Sequence, residues 1–213
     1  MEIYSTEEQQ VEAIKKFWQE NGTNIIVGAV LGVGGFLSWD YYVAKQQENK
    51  EAASVQYEVL LEKFQGEKVT YDSIESDVKA FVAQYGESGY GVFVQLLAAK
   101  QAVINENLEQ AKSHLNTALS LVDNDSLKEL VSLRLARVEK ELGQFDSALQ
   151  HLAIVKSDGF AFQAEEVKGD IYLAQGNVDQ ARSAYQAAAD KGGLEGNTVL
   201  EMKLNDLAQP TAN

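Results

Sequence analysis

The sequence contains no cysteine, a single proline and few basic residues. Without cysteine the chain can form neither structural disulfides nor thiolate metal sites, and any redox compartment is compatible with it. Because proline interrupts helices, a chain of 213 residues with one proline can be helical almost throughout. With 45% hydrophobic residues it can also bury one sizeable core. We therefore predict an almost wholly α-helical protein.

Positive charge is also scarce. The 18 Lys and Arg residues face 32 Asp and Glu residues, which leaves a net charge of -14. A surface of this sign repels nucleic-acid phosphates and anionic lipid headgroups. The charge therefore argues against a nucleic-acid-binding protein.

Residues typical of catalytic and metal sites are isolated in this sequence. His114 and His151 each lack a second histidine four positions away, so we interpret them as helix-surface residues rather than metal ligands. The glycines at 32–35 lack the neighbouring strand, lysine and acidic residue of a phosphate-binding loop. Carboxylates such as Glu165 and Glu166 are typical of a solvated helix face. The sequence predicts no enzyme, no cofactor and no metal ion; an enzyme would need a pocket that gathers such carboxylates.

One apolar segment is a candidate for a membrane span. Residues 25–39 carry no charge, and Asp40 is the first charged residue after them. This run is shorter than the roughly 20 residues that span a hydrocarbon core, but its flanks extend it. Trp39, Tyr41 and Tyr42 are the amphipathic rings that favour a membrane-water boundary. We predict a single transmembrane helix over residues 24–43.

Two other interpretations of this segment remain open. A cleaved signal peptide would begin with basic residues and end at a small-x-small site, whereas the first 24 residues hold five glutamates and two lysines. A buried core helix that is apolar on every face would need protein all around it.

Four glycines lie in the predicted span, at positions 28, 32, 34 and 35. The spacing from Gly28 to Gly32 is the small-x-x-x-small pattern that lets a second helix approach closely in lipid. We predict a partner-helix contact at Gly28, Gly32 and Gly35. The alternative is that these glycines reflect only the general frequency of glycine in membrane helices.

The span divides the chain into a tail at residues 1–23, the transmembrane helix at 24–43 and a soluble domain at 44–213. Lys15 and Lys16 precede the span, and Lys45 and Lys50 follow it, so the lysine bias does not decide the orientation.

The tail has its own helical pattern. Ser5-x-x-Glu8 fits a capping box, and we expect the helix to end at Asn21 and Gly22. One face of this helix would contact either the membrane or a protein partner. It consists of Val11, Ile14, Phe17 and Trp18.

Three segments of the soluble domain repeat one pattern: polar, apolar, acidic, polar, alanine, then a large apolar residue four positions on. Their alanines, Ala111, Ala148 and Ala181, are 37 and 33 residues apart. This spacing is close to the tetratricopeptide period of about 34 residues. Gly143 and Gly176 precede their alanines by five residues, at the expected turn between paired helices, and Glu106 occupies that position in the first repeat.

An alanine that faces a neighbouring helix permits close approach, so stacked helix pairs bury a continuous core. Gly169 and Tyr172 add the Gly-x-x-Tyr of a tetratricopeptide first helix. Upstream, helical periodicity continues at residues 54–64, 74–85 and 92–104, with breakers at Gly66 and at residues 86–89. We predict an all-α fold in which the transmembrane helix is followed by a tetratricopeptide-like helical repeat solenoid. An unrelated helical bundle with accidental similarity is the alternative.

The concave face of such a solenoid can hold extended or helical peptides. The tetratricopeptide pattern directs one set of first-helix residues to this face, although the apolar members could equally belong to the core. The predicted groove residues are Phe93, Leu96, Lys100, Val103, Leu130, Leu133, Arg137, Lys140, Gln163, Glu166 and Asp170.

Several short motifs resemble those of a known family. They are Met1-Glu2-Ile3-Tyr4, Gln10-Val11-Glu12, Glu20-Asn21-Gly22, the glycine-rich span, Leu133-Arg134-Leu135-Ala136-Arg137-Val138, Ala181-Arg182-Ser183-Ala184 and Met202-Lys203-Leu204-Asn205-Asp206-Leu207. In order and spacing they are similar, over essentially the whole chain, to the YfgM family of ancillary subunits of the bacterial SecYEG translocon.

The resemblance implies a non-enzymatic protein of a bacterial inner membrane, with its tail in the cytoplasm and its tetratricopeptide-like domain in the periplasm. It also implies association with the translocon and with the membrane-anchored chaperone PpiD, and a chaperone role in transferring exported polypeptides to periplasmic chaperones. The alternative function is that of a membrane-anchored regulator, whose cytoplasmic tail sequesters an envelope-stress response regulator. The family supplies no catalytic residue to carry over.

Overall fold

The computed structural model describes residues 7–65 and 71–207, and all regular structure in these ranges is helical. The chain divides into two compact units, Met1–Glu51 and Ala52–Asn213. The helices are α1 (Glu7–Gln65), α2 (Tyr71–Tyr85), α3 (Tyr90–Ile104), α4 (Leu108–Leu121), α5 (Asp125–Glu141), α6 (Phe145–Leu152), α7 (Asp158–Ala174), α8 (Val178–Ala188) and α9 (Thr198–Asp206).

The tail and the predicted span belong to one helix, so the expected helix end at Asn21 and Gly22 is wrong. The Asn21 side chain donates from Nδ2 to the Phe17 carbonyl at 3.1 Å, one turn back in the same helix. Gly22 packs against the Trp18 ring. A glycine inside a helix costs only about 1 kcal/mol, which the apolar continuation of the helix can offset. Ser5, half of the predicted capping box, lies outside the described residues.

The predicted span is exposed along its whole length. Leu31, Phe36 and Trp39 are 70%, 69% and 67% exposed, and only 6% of the most apolar window is buried. This helix is long and apolar enough to cross a membrane. Because no described residue of its own unit covers it, the structure disfavours the interpretation as a core helix.

The second unit begins with the last turns of α1, which pack with α2 and α3. Their shared core contains Ala53, Leu60, Val78, Phe81 and Val94, all buried. Helices α2 and α3 confirm the two helices predicted at 74–85 and 92–104, and residues 86–88 form the 3-10 turn between them. The breaker Gly66 lies outside the described residues.

Three helix pairs follow, α3 with α4, α5 with α6 and α7 with α8. Ala111, Ala148 and Ala181 are fully buried in successive core clusters, which confirms the predicted repeat. In the last pair, Gly169 on α7 lies against the ring of Tyr185 on α8, where a side chain would collide. The clusters of Ala111 and Ala148 each extend to the first helix of the next pair, and that of Ala181 extends to α9, as in a helical repeat solenoid.

The turns within the three pairs have the same geometry. Glu106, Gly143 and Gly176 have φ values of 58°, 73° and 78°, the left-handed conformation that glycine adopts most easily. In each turn the next residue donates a 2.8 Å backbone hydrogen bond to a carbonyl five residues earlier, as from Asn107 to Ala102. This is the Schellman arrangement that ends a helix. Glu106 therefore occupies a glycine position, as the repeat alignment predicts.

Helix α9 packs on α8 and closes the end of the last cluster. Leu200 is fully buried there. The Arg182 side chain donates from Nε to the Leu207 carbonyl at 2.6 Å.

Candidate binding groove

The first helices of the three pairs, α3, α5 and α7, line a cavity of about 830 Å³ in the second unit, which we call the groove. Its lining residues come mainly from these three helices, with Tyr57 added by the last turns of α1. A volume of this size is typical of sites that bind a small molecule or a few side chains of a peptide.

The groove contains most of the residues predicted for the concave face. Phe93, Leu96, Lys100, Val103, Leu130, Arg137, Lys140, Glu166 and Asp170 all line it. Leu133 does not, because it is only 3% exposed and packs in the core shared by α5, α6 and α7. Gln163 is half-buried outside the lining, and its Oε1 has no hydrogen-bond partner in the described part of the chain.

Sequence reasoning missed several lining residues, among them Leu97, Ile104, Arg134 and Glu141. Helical spacing could have found Leu97 and Arg134, which lie one turn beyond Phe93 and Leu130. Tyr57 could not have been found this way, since it comes from the end of α1. Its ring centroid lies 6.4 Å from that of Phe93.

One part of the groove is apolar and open. Phe93, Val103 and Ile104 are 39%, 44% and 59% exposed, although all three are large hydrophobic residues. Exposed apolar groups in a concave surface are a common feature of peptide-binding sites.

The acidic part of the groove is neutralised from within the domain. Lys203 on α9 contacts Asp170 at 2.6 Å and Glu166 at 2.9 Å. Burial would lower the pKa of Lys203, but its hydrogen bonds to Asp170 and Glu166 raise that pKa above the ordinary value. Glu141 is paired with Lys140 at 2.6 Å.

Asp170 also accepts a 2.8 Å hydrogen bond from the Tyr185 hydroxyl. Burial, and after it this hydrogen bond, raises the pKa of Tyr185 well above its usual range. The carboxylates at this end are therefore occupied by partners on α8 and α9.

The basic part of the groove has no such partners among the described residues. Lys100, Arg134 and Arg137, which we call the cationic trio, form no ion pair with any residue in the described ranges. Burial lowers the pKa of Arg134, and the neighbouring positive charge of Arg137 lowers it further. The trio is thus positive charge without an ion-pair partner in the described ranges, in a chain of net charge -14.

The other predicted contact residues lie in the first unit. A Cβ added at Gly28, Gly32 or Gly35 would meet no atom of a described residue within 4 Å, so this face of α1 is open there. The predicted tail face is open as well, since Val11, Ile14, Phe17 and Trp18 are 49%, 68%, 57% and 55% exposed.

The two histidines differ from their expected placement on the helix surface. Both are half-buried because each faces the first helix of its own pair. His114 Nδ1 lies 2.6 Å from Gln95 Oε1, and His151 Nδ1 lies 2.7 Å from Glu139 Oε2. Glu139 is 1% exposed and accepts a second hydrogen bond, from the Ser147 hydroxyl at 2.6 Å. These contacts join paired helices, and no three metal-ligating side chains converge in the described residues.

Comparisons with known proteins cover nearly the whole chain. The tetratricopeptide repeat-like domain family matches residues 15–209. A relative from Escherichia coli, named an ancillary SecYEG translocon subunit, is 35% identical over 98% of this chain and 100% of its own length. Proteins of the same name from Haemophilus influenzae and Neisseria gonorrhoeae are 34% and 28% identical, over 94% and 97% of this chain and 97% and 100% of their own lengths. No solved structure matches the chain.

Proposed function

Because this chain belongs to the family of ancillary SecYEG translocon subunits, we propose that it associates with the SecYEG translocon as a non-enzymatic, single-pass subunit of the bacterial inner membrane. The observation that carries this proposal is the extent of the similarity: the E. coli relative matches over its full length. The match therefore includes both the candidate span and the repeat domain, so the two functional parts occur together in both proteins.

The repeat domain, in this proposal, holds exported polypeptides as they leave the translocon and transfers them to periplasmic chaperones together with PpiD. The groove supports a binding role because it is concave and exposes Phe93, Val103 and Ile104. The partnership with PpiD rests on the family resemblance alone.

A photo-crosslinking amino acid at Phe93 tests this role in intact membranes. We expect crosslinks from position 93 to exported chains that are held during translocation, and few from Lys128, an exposed residue of α5 outside the groove. Equal crosslinking from both positions would show that the groove has no special role.

The proposed orientation places the tail in the cytoplasm and the repeat domain in the periplasm. Because the chain has no cysteine, one introduced cysteine reports a single position. In cells with a permeabilised outer membrane, Gln9→Cys should be shielded from a membrane-impermeant thiol reagent, and Glu195→Cys should react. Both side chains are exposed in their own units. Labelling at position 9 without labelling at position 195 would reverse the orientation.

Contact with a translocon helix is proposed for the open glycine face of α1. Gly32→Leu should weaken co-purification with SecYEG by about 1 kcal/mol or more without loss of membrane insertion, since close approach is lost. Gly34→Leu is the matched control, because it adds the same side chain on a different face of the helix. Unchanged recovery of both variants would move the contact to the repeat domain or the tail.

The exposed tail face favours a second candidate function, the sequestration of a cytoplasmic response regulator. Val11, Ile14, Phe17 and Trp18 form an apolar stripe within an acidic tail, which suits a protein partner better than an anionic membrane. Replacing Ile14 and Phe17 with Ser should release the regulator and change the stress response, while co-purification with SecYEG is retained. An unaltered stress response would argue against this function.

A further inference from the structure

The charges that line the groove differ in whether they have partners. The acidic residues Glu141, Glu166 and Asp170 are paired with Lys140 or Lys203. The cationic trio, defined above as Lys100, Arg134 and Arg137, forms no ion pair in the part of the chain that the structure describes. The groove therefore offers positive charge, and not negative charge, to an occupant.

Arg134 and Arg137 both line the groove from α5. Both lie one turn apart on α5, and burial together with the charge of Arg137 lowers the pKa of Arg134. Two neighbouring cations are stabilised when an anion comes between them, and guanidinium groups bind carboxylates in a bidentate geometry. The site can therefore bind an anionic group that the described part of the domain does not supply.

The same cavity places apolar surface beside this charge. Lys100 lies between Phe93 and Val103 on α3, and all three line the groove together with Ile104. A free inorganic anion would leave this apolar surface in water, where it is unfavourable. A bilayer surface is too broad to enter a cavity of about 830 Å³ between three helices, whereas a single peptide chain is narrow enough. A peptide that carries both apolar side chains and carboxylates satisfies both parts of the groove.

We propose that the groove binds polypeptide segments in which large apolar side chains lie beside carboxylates. The apolar side chains contact Phe93, Val103 and Ile104, and the carboxylates pair with the cationic trio. This inference rests on the proposed function in taking a polypeptide as the occupant, and it adds which polypeptides are held.

A pair of matched peptides tests the proposal on the full chain in nanodiscs of zwitterionic lipid. Both peptides share two Leu and one Phe; one carries two Glu beside them and the other carries Gln at the same positions. Fluorescence anisotropy should give the Glu peptide an affinity about tenfold higher, equivalent to ~1.4 kcal/mol. This preference should shrink as salt is added, because it is electrostatic. Equal affinities for the two peptides would overturn the proposal.

Two double variants, each of which removes two positive charges, show which residues cause the preference for the Glu peptide. Arg134→Gln/Arg137→Gln should remove the preference for the Glu peptide and leave binding of the Gln peptide unchanged. Lys128→Gln/Lys156→Gln removes two exposed cations outside the groove and should keep the preference. Loss of the preference in the control variant as well would mean that net charge, and not the groove, attracts the peptide. Thermal melting of both variants verifies that each is folded.

Vesicles that contain phosphatidylglycerol test whether the cationic trio binds a lipid headgroup instead of a peptide. If they displace the Glu peptide from the unaltered protein, and zwitterionic vesicles do not, the trio binds lipid and the proposal is overturned. The proposed function is tested separately by recovery of SecYEG. If the unaltered protein shows no preference for the Glu peptide but SecYEG is recovered, this inference alone is rejected. If the preference is present but SecYEG is not recovered, the translocon association alone is rejected.

Discussion

The contact between Gly169 on α7 and the ring of Tyr185 on α8 gives the sharpest prediction about the fold. A Cβ at position 169 would lie 3.0 Å from Cγ of Tyr185 and closer still to Cδ1 and Cε1. Carbon atoms pack at about 3.5 to 4.0 Å, so the ring would have to move by roughly 1 Å. It has little freedom to do so, because Tyr185 is fully buried and its hydroxyl donates to Asp170.

Gly169→Ala should therefore destabilise the repeat domain. Overpacking of this kind costs about 1 to 3 kcal/mol, and alanine returns roughly 1 kcal/mol through its higher helix propensity. We expect a net loss of about 1 to 2 kcal/mol in the free energy of unfolding. For a domain of this size, the melting temperature should fall by roughly 2 to 8 °C. Urea and thermal unfolding of residues 52–213, followed by far-ultraviolet circular dichroism, would measure both quantities.

Gly159→Ala is the matched control on the same helix. A Cβ at position 159 would meet no atom of the described chain within 4 Å, so the substitution should leave stability unchanged or raise it by up to about 1 kcal/mol. In a Tyr185→Leu background, the steric cost of Gly169→Ala should largely disappear. If Gly169→Ala raises the melting temperature as Gly159→Ala does, close packing of the ring on α7 is refuted.

Three further predictions concern the repeat turns, the repeat core and alkaline pH. Because φ is positive at both turn positions, Glu106→Gly should stabilise the domain by roughly 0.5 to 1 kcal/mol in urea unfolding, and Gly143→Ala should destabilise it by about 1 kcal/mol or more. A change of the same sign in the two variants would contradict the shared turn geometry. Ala148→Leu should cost about 1 to 3 kcal/mol in the same assay, since Ala148 is fully buried between helices, and a neutral result would show that this contact is loose. Burial and the bond to Asp170 raise the pKa of Tyr185 above 10.0, so the unfolded chain ionises first and stability should fall as pH rises above that value. Unfolding curves across this range should be less pH-dependent for Tyr185→Phe; equal slopes for the two proteins would exclude Tyr185 as the source.

Local patterns were sufficient to predict the helices of the repeats and their pairing. The alanines at 111, 148 and 181 marked buried positions, and the alignment of Glu106 with Gly143 and Gly176 marked turns that share a left-handed residue. These features can be read from a sequence because side chains three or four residues apart share a helix face, and because a helix end requires a particular φ.

Local patterns gave wrong predictions where the fold around a residue overrides its local signal. The pair Asn21 and Gly22 predicts a helix end, but the helix continues through it. Leu133 fits the spacing of a groove residue, yet it packs in the core. Periodicity identifies the apolar face of a helix, but it does not show whether a neighbouring helix covers a given residue on that face.

The amino-acid sequence by itself determined the all-helical class, the apolar segment that can cross a membrane, and the repeat of paired helices, because each depends on residues within a few turns of one another. Only the tertiary structure decided which charges in the groove are available. Lys203 reaches Glu166 and Asp170 from α9, 37 and 33 residues along the chain, whereas Arg134 and Arg137 form no ion pair with any described residue. Coulomb interactions depend on distance in space, and that distance is set by the stacking of helices that lie far apart in the sequence.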